Sequence, residues 1–262
     1  MTYADKELKI LEQKIKKLYT QSYMEMKGDM AKIMVQISVN PNMSTQQKIA
    51  LMNKYDRLDK LTKQVTEVLN NTNKMAQRFV NNSMVNVYKN AYNTNAEALG
   101  FAILDNTAVK KVLKHEVNPF TAINSLKDKT AIQNKLKGDL LTGILQGDSI
   151  PQIAMRLKHT SEQYLNDAVK VARTETTRVE NSAHLDVGQA GKKKGFNMWK
   201  RWVATADPRT REAHALADGQ EVPIDEPFIV GGEELMYPGD LAGSPENVIN
   251  CRCTMVSFIK EK

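Results

Sequence analysis

The sequence predicts a mainly α-helical protein in which long N-terminal helices are followed by a small C-terminal α+β module. Residues 1–100 hold one proline and almost no glycine, and their apolar residues recur at three- and four-residue steps. Beyond the stretch "KKKG", short alternating segments are separated by Pro and Gly. We therefore predict an elongated helical region over 1–125, a second helical part over 126–195 and a compact α+β module over 196–262.

The N-terminal region is predicted to begin with two helices. Residues 4–38 show an apolar stripe between Lys and Glu side chains, which indicates an amphipathic helix. Pro41 cannot continue that helix, and Ser44 or Thr45 is placed to cap the next one. The second helix is predicted over about residues 45–75.

The middle of the chain has weaker helical patterns. A third helix is predicted over 76–98, although this stretch is rich in Asn, a poor helix former. Residues 105–125 are mixed, with a break near "NPF", and the amphipathic stretch "AIQNKLKGDLLTGILQG" follows. In "DSIPQIAMRL", Asp148 or Ser149 is placed as an N-cap, with Pro151 in the first helical turn.

The change from helix to module is predicted near residue 195. A last long helix spans about 161–190, and we expect Gly188 and Gly191 to end it. The segment "FNMWKRWVATAD" then alternates as a strand does, which places Trp199 and Trp202 on opposite faces. We expect the two Trp side chains to fill the core of the small module.

Composition and charge limit the classes of function. The net charge is +7, but residues 196–262 hold 7 basic and 11 acidic groups against 30 and 19 in residues 1–195. This asymmetry suits two modules and a polyanionic neighbour for the first, or simply solvated Lys-rich helix faces. No apolar run approaches the length of a membrane span, and no secretion signal is visible. Two cysteines indicate a reducing compartment.

The two cysteines lie in the segment "NCRC" and have two possible roles. Residues two apart on a strand point the same way, so a disulfide between Cys251 and Cys253 would be strained. Two thiolates are half of a tetrahedral zinc site, for which His214 and, more weakly, Asp207 or Asp218 are the candidate partners. Alternatively, both thiols are small buried apolar groups, as free cysteines commonly are.

Two charged segments have an ordinary structural interpretation. "DPRTREAHALADG" is predicted to form a turn and a short helix capped by Asp207. Arg211 and His214 lie three residues apart there and suit phosphate binding or acid–base chemistry, but an internal network of ion pairs is the commoner use. In "ARTETTRVE", which begins at Ala172, Arg and Glu alternate, and we interpret them as pairs on a helix surface.

The basic tract Lys192, Lys193 and Lys194, with Arg201 nearby, is suited to contact phosphate or to serve as a solvated linker. The chain has none of the motifs G-x-G-x-x-G, P-loop, H-E-x-x-H or G-x-S-x-G. It also lacks a cluster of carboxylates of the kind that a two-metal nuclease needs. The residues alone therefore predict a helical protein with an appended module and no catalytic machinery.

Three segments in order, "ARTETTRVENSAHLDVG", "DPRTREAHALADG" and "PENVINCRC", resemble the Mu F-like head morphogenesis family, the minor head proteins of tailed bacteriophages. The resemblance covers about residues 138–257. It implies a virion protein, present in few copies at the portal vertex, that assists procapsid assembly, DNA packaging or delivery. It implies no enzyme activity and no cofactor.

The resemblance also implies partners and a place. The partners it implies are the portal protein and a scaffold or major capsid protein. The excess of basic groups in residues 1–195 makes double-stranded DNA, bound without sequence specificity, a further candidate partner, and the composition predicts no membrane partner. The place is the capsid interior near the portal, reached from the host cytoplasm during assembly.

One departure from the family pattern concerns metal binding. Many relatives have C-x-x-C where this chain has Arg211 and His214, and a histidine where it has Val248. The resemblance therefore implies a zinc knuckle in those relatives and its loss here, so we expect no metal. Instead we expect Arg211 and His214 to pair with acidic groups. The predicted structural network comprises Asp207, Arg209, Arg211, His214, Asp218, Cys251, Arg252 and Cys253.

Two alternative functions stay open at this point. The first is non-specific DNA binding in the capsid interior, which the basic N-terminal region favours. The second is a metal-dependent enzyme or a transferase. Its candidate residues are Arg173, Glu175, Glu212 and His214.

Overall fold

The structure is a computed structural model that describes residues 2–37, 44, 46–47, 57–116, 134–139, 142–143, 146, 148 and 150–261. Its long helices are α1 (Tyr3–Ile37), α2 (Arg57–Ala98), α3 (Asn106–Glu116) and α4 (Ile150–Lys193). Residues 134–139 are also helical. The predicted fold class, long N-terminal helices before a small module that contains strands, is confirmed.

The chain divides into two compact units, each made of separate segments. The C-terminal unit comprises Met1–Glu12, Val80–Pro119 and Lys170–Lys262, and the helical unit comprises Gln13–Phe79 and Phe120–Val169. In the helical unit, buried apolar side chains recur along the helices, and the Tyr19 hydroxyl donates a hydrogen bond to Asn73 at 2.5 Å. The three regions predicted from the sequence stay a prediction.

The described part of α2 shows that the second and third predicted helices are one. No break occurs near residue 76, and the Asn-rich stretch remains helical to Ala98. Its Asn side chains make specific bonds that offset their poor helix propensity. Asn93 exchanges two hydrogen bonds with the backbone of Leu104, and Asn95 donates to the carbonyl of Ala91.

Helix starts were predicted more reliably than helix ends. Ser44 and Gln47 form a reciprocal capping box, with backbone-to-side-chain bonds of 2.9 and 3.2 Å, as the predicted cap at Ser44 requires. Pro151 lies in the first turn of α4, as predicted. Asp105 caps α3 by accepting a hydrogen bond from the backbone of Ala108. Pro41, Thr45 and Ser149 lie outside the described residues.

The prediction that Gly188 and Gly191 end the last long helix is wrong, because α4 continues to Lys193. The two glycines instead allow other elements to pack closely. A Cβ atom at Gly188 would lie 2.3 Å from Ile224 Cδ1, and one at Gly191 would lie 2.8 Å from Met198 Sδ. The missing side chains therefore serve packing rather than helix termination.

The C-terminal module contains a three-stranded antiparallel sheet and a two-stranded ribbon. Its elements are β1 (Met198–Val203), α5 (Glu212–Leu216), β2 (Glu221–Pro223), β3 (Phe228–Val230), β4 (Glu233–Leu235), α6 (Pro245–Val248) and β5 (Thr254–Ile259). The sheet has the order β2–β1–β5, and the ribbon pairs β3 with β4. The two short helices, α5 and α6, lie in the connections between strands.

The inner face of the sheet builds the core of the module. Side chains of β1 alternate as predicted, so Trp202 is fully buried and packs edge-on against Phe228. Trp199, on the other face, is only half-buried and lies under Lys260, whose Nζ is 3.6 Å from the ring centroid. The expectation that both Trp residues fill the core is therefore correct for Trp202 alone.

Among the described residues, no helix has both the length and the apolarity to cross a membrane.

Candidate functional site

The turn after β1 is fastened to the segment between the two cysteines. The Asp207 carboxylate accepts hydrogen bonds from both terminal nitrogens of Arg252 and from the backbone N–H of Arg209. Because Arg252 donates to this carboxylate, the pKa of Asp207 lies well below its usual range. The sequence predicted that Asp207 caps the short helix, and this prediction is wrong. Helix α5 begins at Glu212, and Asp207 instead closes the preceding turn.

Further hydrogen bonds stabilise the turn after β1 and its contact with the segment before β5. Thr205 donates its hydroxyl to the carbonyl of Arg252 at 2.6 Å, and Arg211 donates to the carbonyl of Ile249. Asp218 accepts a hydrogen bond from the backbone of Ala204 at 2.8 Å. Arg211 therefore binds a backbone carbonyl rather than the acidic partner expected from the sequence, because the "NCRC" segment passes directly beside it.

His214 lies against both thiols. Its Nδ1 atom is 3.3 Å from the Cys253 sulfur and 3.6 Å from the Cys251 sulfur, and all three residues are buried. The expectation that His214 pairs with an acidic group is wrong, because α5 turns this side chain inward against the edge of Trp202. The cysteines also precede β5 rather than lying on it, yet both side chains point to the same histidine.

The two thiols are inequivalent acids. The pKa of Cys253 is lowered, first because Cys251 hydrogen-bonds to it and then because His214 does. The pKa of Cys251 is raised, because its hydrogen bond to Cys253 favours the protonated thiol and because burial disfavours a second negative charge. The pair is therefore arranged to hold one negative charge close to an imidazole.

A polar face of α4 binds the segment that carries the cysteines. Thr177 donates to the carbonyl of Cys251 at 2.6 Å. Asn181, which is fully buried, donates to the carbonyl of Cys253 and accepts from the backbone of Met255. His184 Nδ1 lies 2.7 Å from the carbonyl of Met255. We call Thr177, Asn181 and His184 the latch, since together they satisfy the backbone of residues 251–255.

The latch was missed in the sequence analysis. Its members lie in "TETTRVENSAH", and they recur at steps of four and three residues, so they share one face of α4. That spacing was available in the sequence. However, polar residues at helical spacing are normally interpreted as a solvated face, and only the position of the C-terminal segment shows that this face is buried.

Three buried charged side chains were also unexpected. Glu175 and Arg178 form an ion pair at 2.8 Å, with only 6% and 2% of their side chains exposed, so the prediction of a surface pair is wrong here. Burial raises the pKa of Glu175, against the opposing effect of Arg178. Lys200 is fully buried on the inner face of β1 and donates to the carbonyl of Met236. Burial lowers the pKa of Lys200 to about 8.

Three of the four predicted phosphate contacts have protein partners in the structure, and among the described residues no ion pair or ring contact is shown for Lys193. Lys192 forms an ion pair with Asp225 at 2.6 Å, and Arg201 forms one with Glu221. Lys194 lies 4.3 Å from the centroid of the Phe101 ring. Their role in phosphate binding stays a prediction.

The residues suggested for an enzyme are mostly engaged elsewhere. Arg173 pairs with Glu12 of α1 at 2.6 Å, Glu175 pairs with Arg178, and His214 faces the thiols. Glu212 is exposed at the start of α5.

The fold and the site define a helical protein with an α+β module whose His/Cys cluster and C-terminal segment are latched to a long helix. Residues 134–256 match the model of the family described as Phage Mu protein F like protein. The matched residues make up just under half of the chain, and they include the latch, the Asp207 turn and both cysteines. The family predicted from the sequence is thus confirmed.

Two curated relatives show how far the similarity extends. The chain is 25% identical to Minor head protein GP7 of Bacillus phage SPP1 over 268 aligned residues, covering 98% of this chain and 85% of that protein. It is 31% identical to NAD(+)--arginine ADP-ribosyltransferase EFV of Enterococcus faecalis over 133 residues, covering 51% of this chain. The chain spans only 27% of the length of that transferase. No solved structure matched the chain.

Proposed function

We propose that this protein is a minor component of a tailed-phage head that associates with the portal vertex. There it assists procapsid assembly, DNA packaging or DNA delivery. The observation that carries the proposal is the similarity to a minor head protein along 98% of the chain, through the long helices as well as the module. Similarity in the module alone would support a shared domain and nothing more.

We also propose that the protein is architectural and performs no reaction of its own. Several polar residues of the C-terminal unit hold the chain together: Glu175 pairs with Arg178, Asp207 with Arg252, and Asn181 binds the cysteine segment. The transferase activity in the name of one relative is not proposed for this chain, which spans about a quarter of that protein. Incubation with labelled NAD⁺ and arginine-containing acceptor protein is expected to give no transfer.

A test of portal association uses shells assembled with and without the portal protein. The coat, scaffold and portal proteins of the same phage are co-expressed with this chain, and its copies per purified procapsid are counted by quantitative mass spectrometry. We expect a few copies per shell, and their loss when the portal gene is omitted. Absence from complete procapsids, or equal incorporation without portal, would contradict the proposal.

Non-specific DNA binding is a second candidate, favoured by the excess of 30 basic over 19 acidic groups in residues 1–195. Such binding weakens steeply with salt, with a log–log slope of about −0.9 per phosphate neutralised. Retardation of a duplex at several salt concentrations measures that slope. No retardation at low salt would remove this candidate without affecting portal association, since the portal is a protein partner.

A further inference from the structure

The donor atoms of His214, Cys251 and Cys253 form the one group of three or more potential metal ligands found among the described residues of the chain. All of these atoms lie within 4.8 Å of one another, and all three residues are buried. They come from two parts of the module, α5 and the segment before β5, that are 37 or more positions apart in sequence.

The spacing of these atoms fits a single tetrahedral ion. With metal–sulfur bonds of about 2.3 Å and metal–nitrogen bonds of about 2.0 Å, tetrahedral angles place a ligating nitrogen roughly 3.5 Å from each ligating sulfur. The observed separations from His214 Nδ1 are 3.3 Å to Cys253 and 3.6 Å to Cys251. Little rearrangement is therefore needed for the three atoms to bind one ion.

The chemistry of the donors selects the class of ion. Two thiolates and an imidazole are soft or borderline ligands that suit Zn²⁺ and exclude Mg²⁺ or Ca²⁺. Two thiolate charges also neutralise a divalent cation, and a neutral complex is far less costly to bury than either charge alone. Without an ion, by contrast, the second thiolate would be disfavoured by the first.

His214, Cys251 and Cys253 also line a small cleft, which we take as the place of the fourth tetrahedral position. The cleft is lined by these three residues together with Thr205, Arg209, Thr210, Arg211, Asn250 and Arg252. Among the described residues that line the cleft there is no further Cys, His, Asp or Glu side chain, so we expect the fourth ligand to be water or another small molecule. Three protein ligands and one exchangeable position are known for zinc in proteins.

We propose that His214, Cys251 and Cys253 bind one thiophilic divalent ion of the zinc type, with its fourth position open to the cleft. This reverses the metal-free expectation from the sequence, which assumed that the substituted positions left too few ligands in place. The ion fixes α5 to the segment before β5, next to the latch. The proposal is independent of the proposed function in the phage head.

Cobalt substitution tests the site in the full-length protein. Reduced protein is stripped with a chelator and titrated with Co²⁺, whose thiolate complexes absorb in the near ultraviolet. We expect a thiolate-to-cobalt band that saturates at one equivalent and disappears when Zn²⁺ is added. Absence of a band in folded protein, or a complex without thiolate absorption, would overturn the proposal.

Variants separate this site from adventitious binding. Cys253→Ser and His214→Ala should each weaken Zn²⁺ binding by more than about 100-fold, since even the loss of an outer partner of a metal ligand costs 10–100-fold. His159→Ala, which removes an exposed histidine of α4, is the matched control and should bind as the parent does. Equal loss in the control, or no loss in the ligand variants, contradicts the assignment.

X-ray absorption of the zinc-loaded parent protein keeps the test independent of variants that fail to fold. We expect two sulfur neighbours at about 2.3 Å and nitrogen or oxygen neighbours at about 2.0 Å. A spectrum with nitrogen and oxygen neighbours only would show that zinc lies elsewhere and would overturn the proposal.

Discussion

The helical unit and the C-terminal unit differ in whether their interiors hold charged groups. Among the described residues, the buried polar side chains of the helical unit, such as Asn70, Asn73 and Thr160, carry no charge. In the helical unit, apolar residues such as Ile15, Val65 and Leu69 are fully buried at helical spacing. The C-terminal unit buries the ion pair of Glu175 and Arg178 together with Lys200 and the polar latch. An interior of apolar and neutral side chains tolerates exchange of similar residues, whereas a buried network of charged, hydrogen-bonded groups fails when one partner is lost. We therefore expect the C-terminal unit to be the less tolerant of single substitutions.

The largest effect is expected at the buried ion pair. Glu175→Gln leaves the guanidinium of Arg178 buried without its counter-charge, and such losses cost about 3–5 kcal/mol of unfolding free energy. Urea denaturation of the C-terminal unit measures this cost. The double variant Glu175→Gln, Arg178→Met removes both charges and should recover much of the stability. If the single variant were as stable as the double, the pair would not be the constraint we describe.

The second-largest loss of stability is expected on replacing Asn181, the central residue of the latch. Asn181→Ala leaves the Met255 N–H and the Cys253 carbonyl without their side-chain partner in a buried place, which costs roughly 2–4 kcal/mol. The matched control is Asn197→Ala, because Asn197 is exposed although it also bonds a backbone carbonyl. We expect less than about 1 kcal/mol for the control. Equal losses in the two variants would show that burial of the latch is unimportant.

The stability of the C-terminal unit should depend on pH through the half-buried side chain of Glu180. Burial, and next the nearby Asp5 carboxylate, raise the pKa of Glu180 from 4.5 to about 7. Because the folded-state pKa is raised, the contribution of Glu180 to stability is complete below about pH 4.5 and is lost as the pH rises through 7. Relative to Glu180→Gln, the parent protein should lose roughly 2–3 kcal/mol across this range. Parallel stability curves for the two proteins would contradict this.

The smallest effects come from two helical glycines with opposite surroundings. Gly188→Ala forces a methyl group against the buried Ile224 side chain, and we expect a loss of about 1–2 kcal/mol. Gly28→Ala, in α1 of the helical unit, has nothing within 4 Å of its new Cβ and should gain up to about 1 kcal/mol of helix propensity. Thermal or urea unfolding of each variant measures whether its stability falls, as expected for Gly188→Ala, or rises, as expected for Gly28→Ala. A stabilising Gly188→Ala would show that α4 and the sheet are not closely packed.

The same contrast explains what the sequence predicts well. A helical period of apolar residues identifies α1, and an alternation of buried and exposed residues identifies β1. Both patterns are visible in the sequence because each element buries one face. Helix ends were predicted less well: Gly188 and Gly191 are typical of helix termination, but here they make room for Ile224 and Met198. Propensity alone cannot tell a glycine that ends a helix from one that allows close packing.

The sequence predicted which residues form the site better than it predicted their contacts. Asp207, Arg252 and both cysteines were named, and the structure brings them together in one small region. The partners of Arg211 and His214 were assigned wrongly, since acidic neighbours in sequence are not neighbours in space. The latch on α4 was missed because its partners are backbone atoms more than 70 positions away.

Native-state hydrogen exchange of the parent protein and Asn181→Ala tests most directly whether the latch holds the C-terminal segment. We expect the variant to lose amide protection in Thr254–Ile259 and in Met198–Val203, while the portion of α1 in the helical unit keeps its protection. Unchanged protection of Thr254–Ile259 in the variant, or equal loss in both units, would show that the latch does not hold the C-terminal segment.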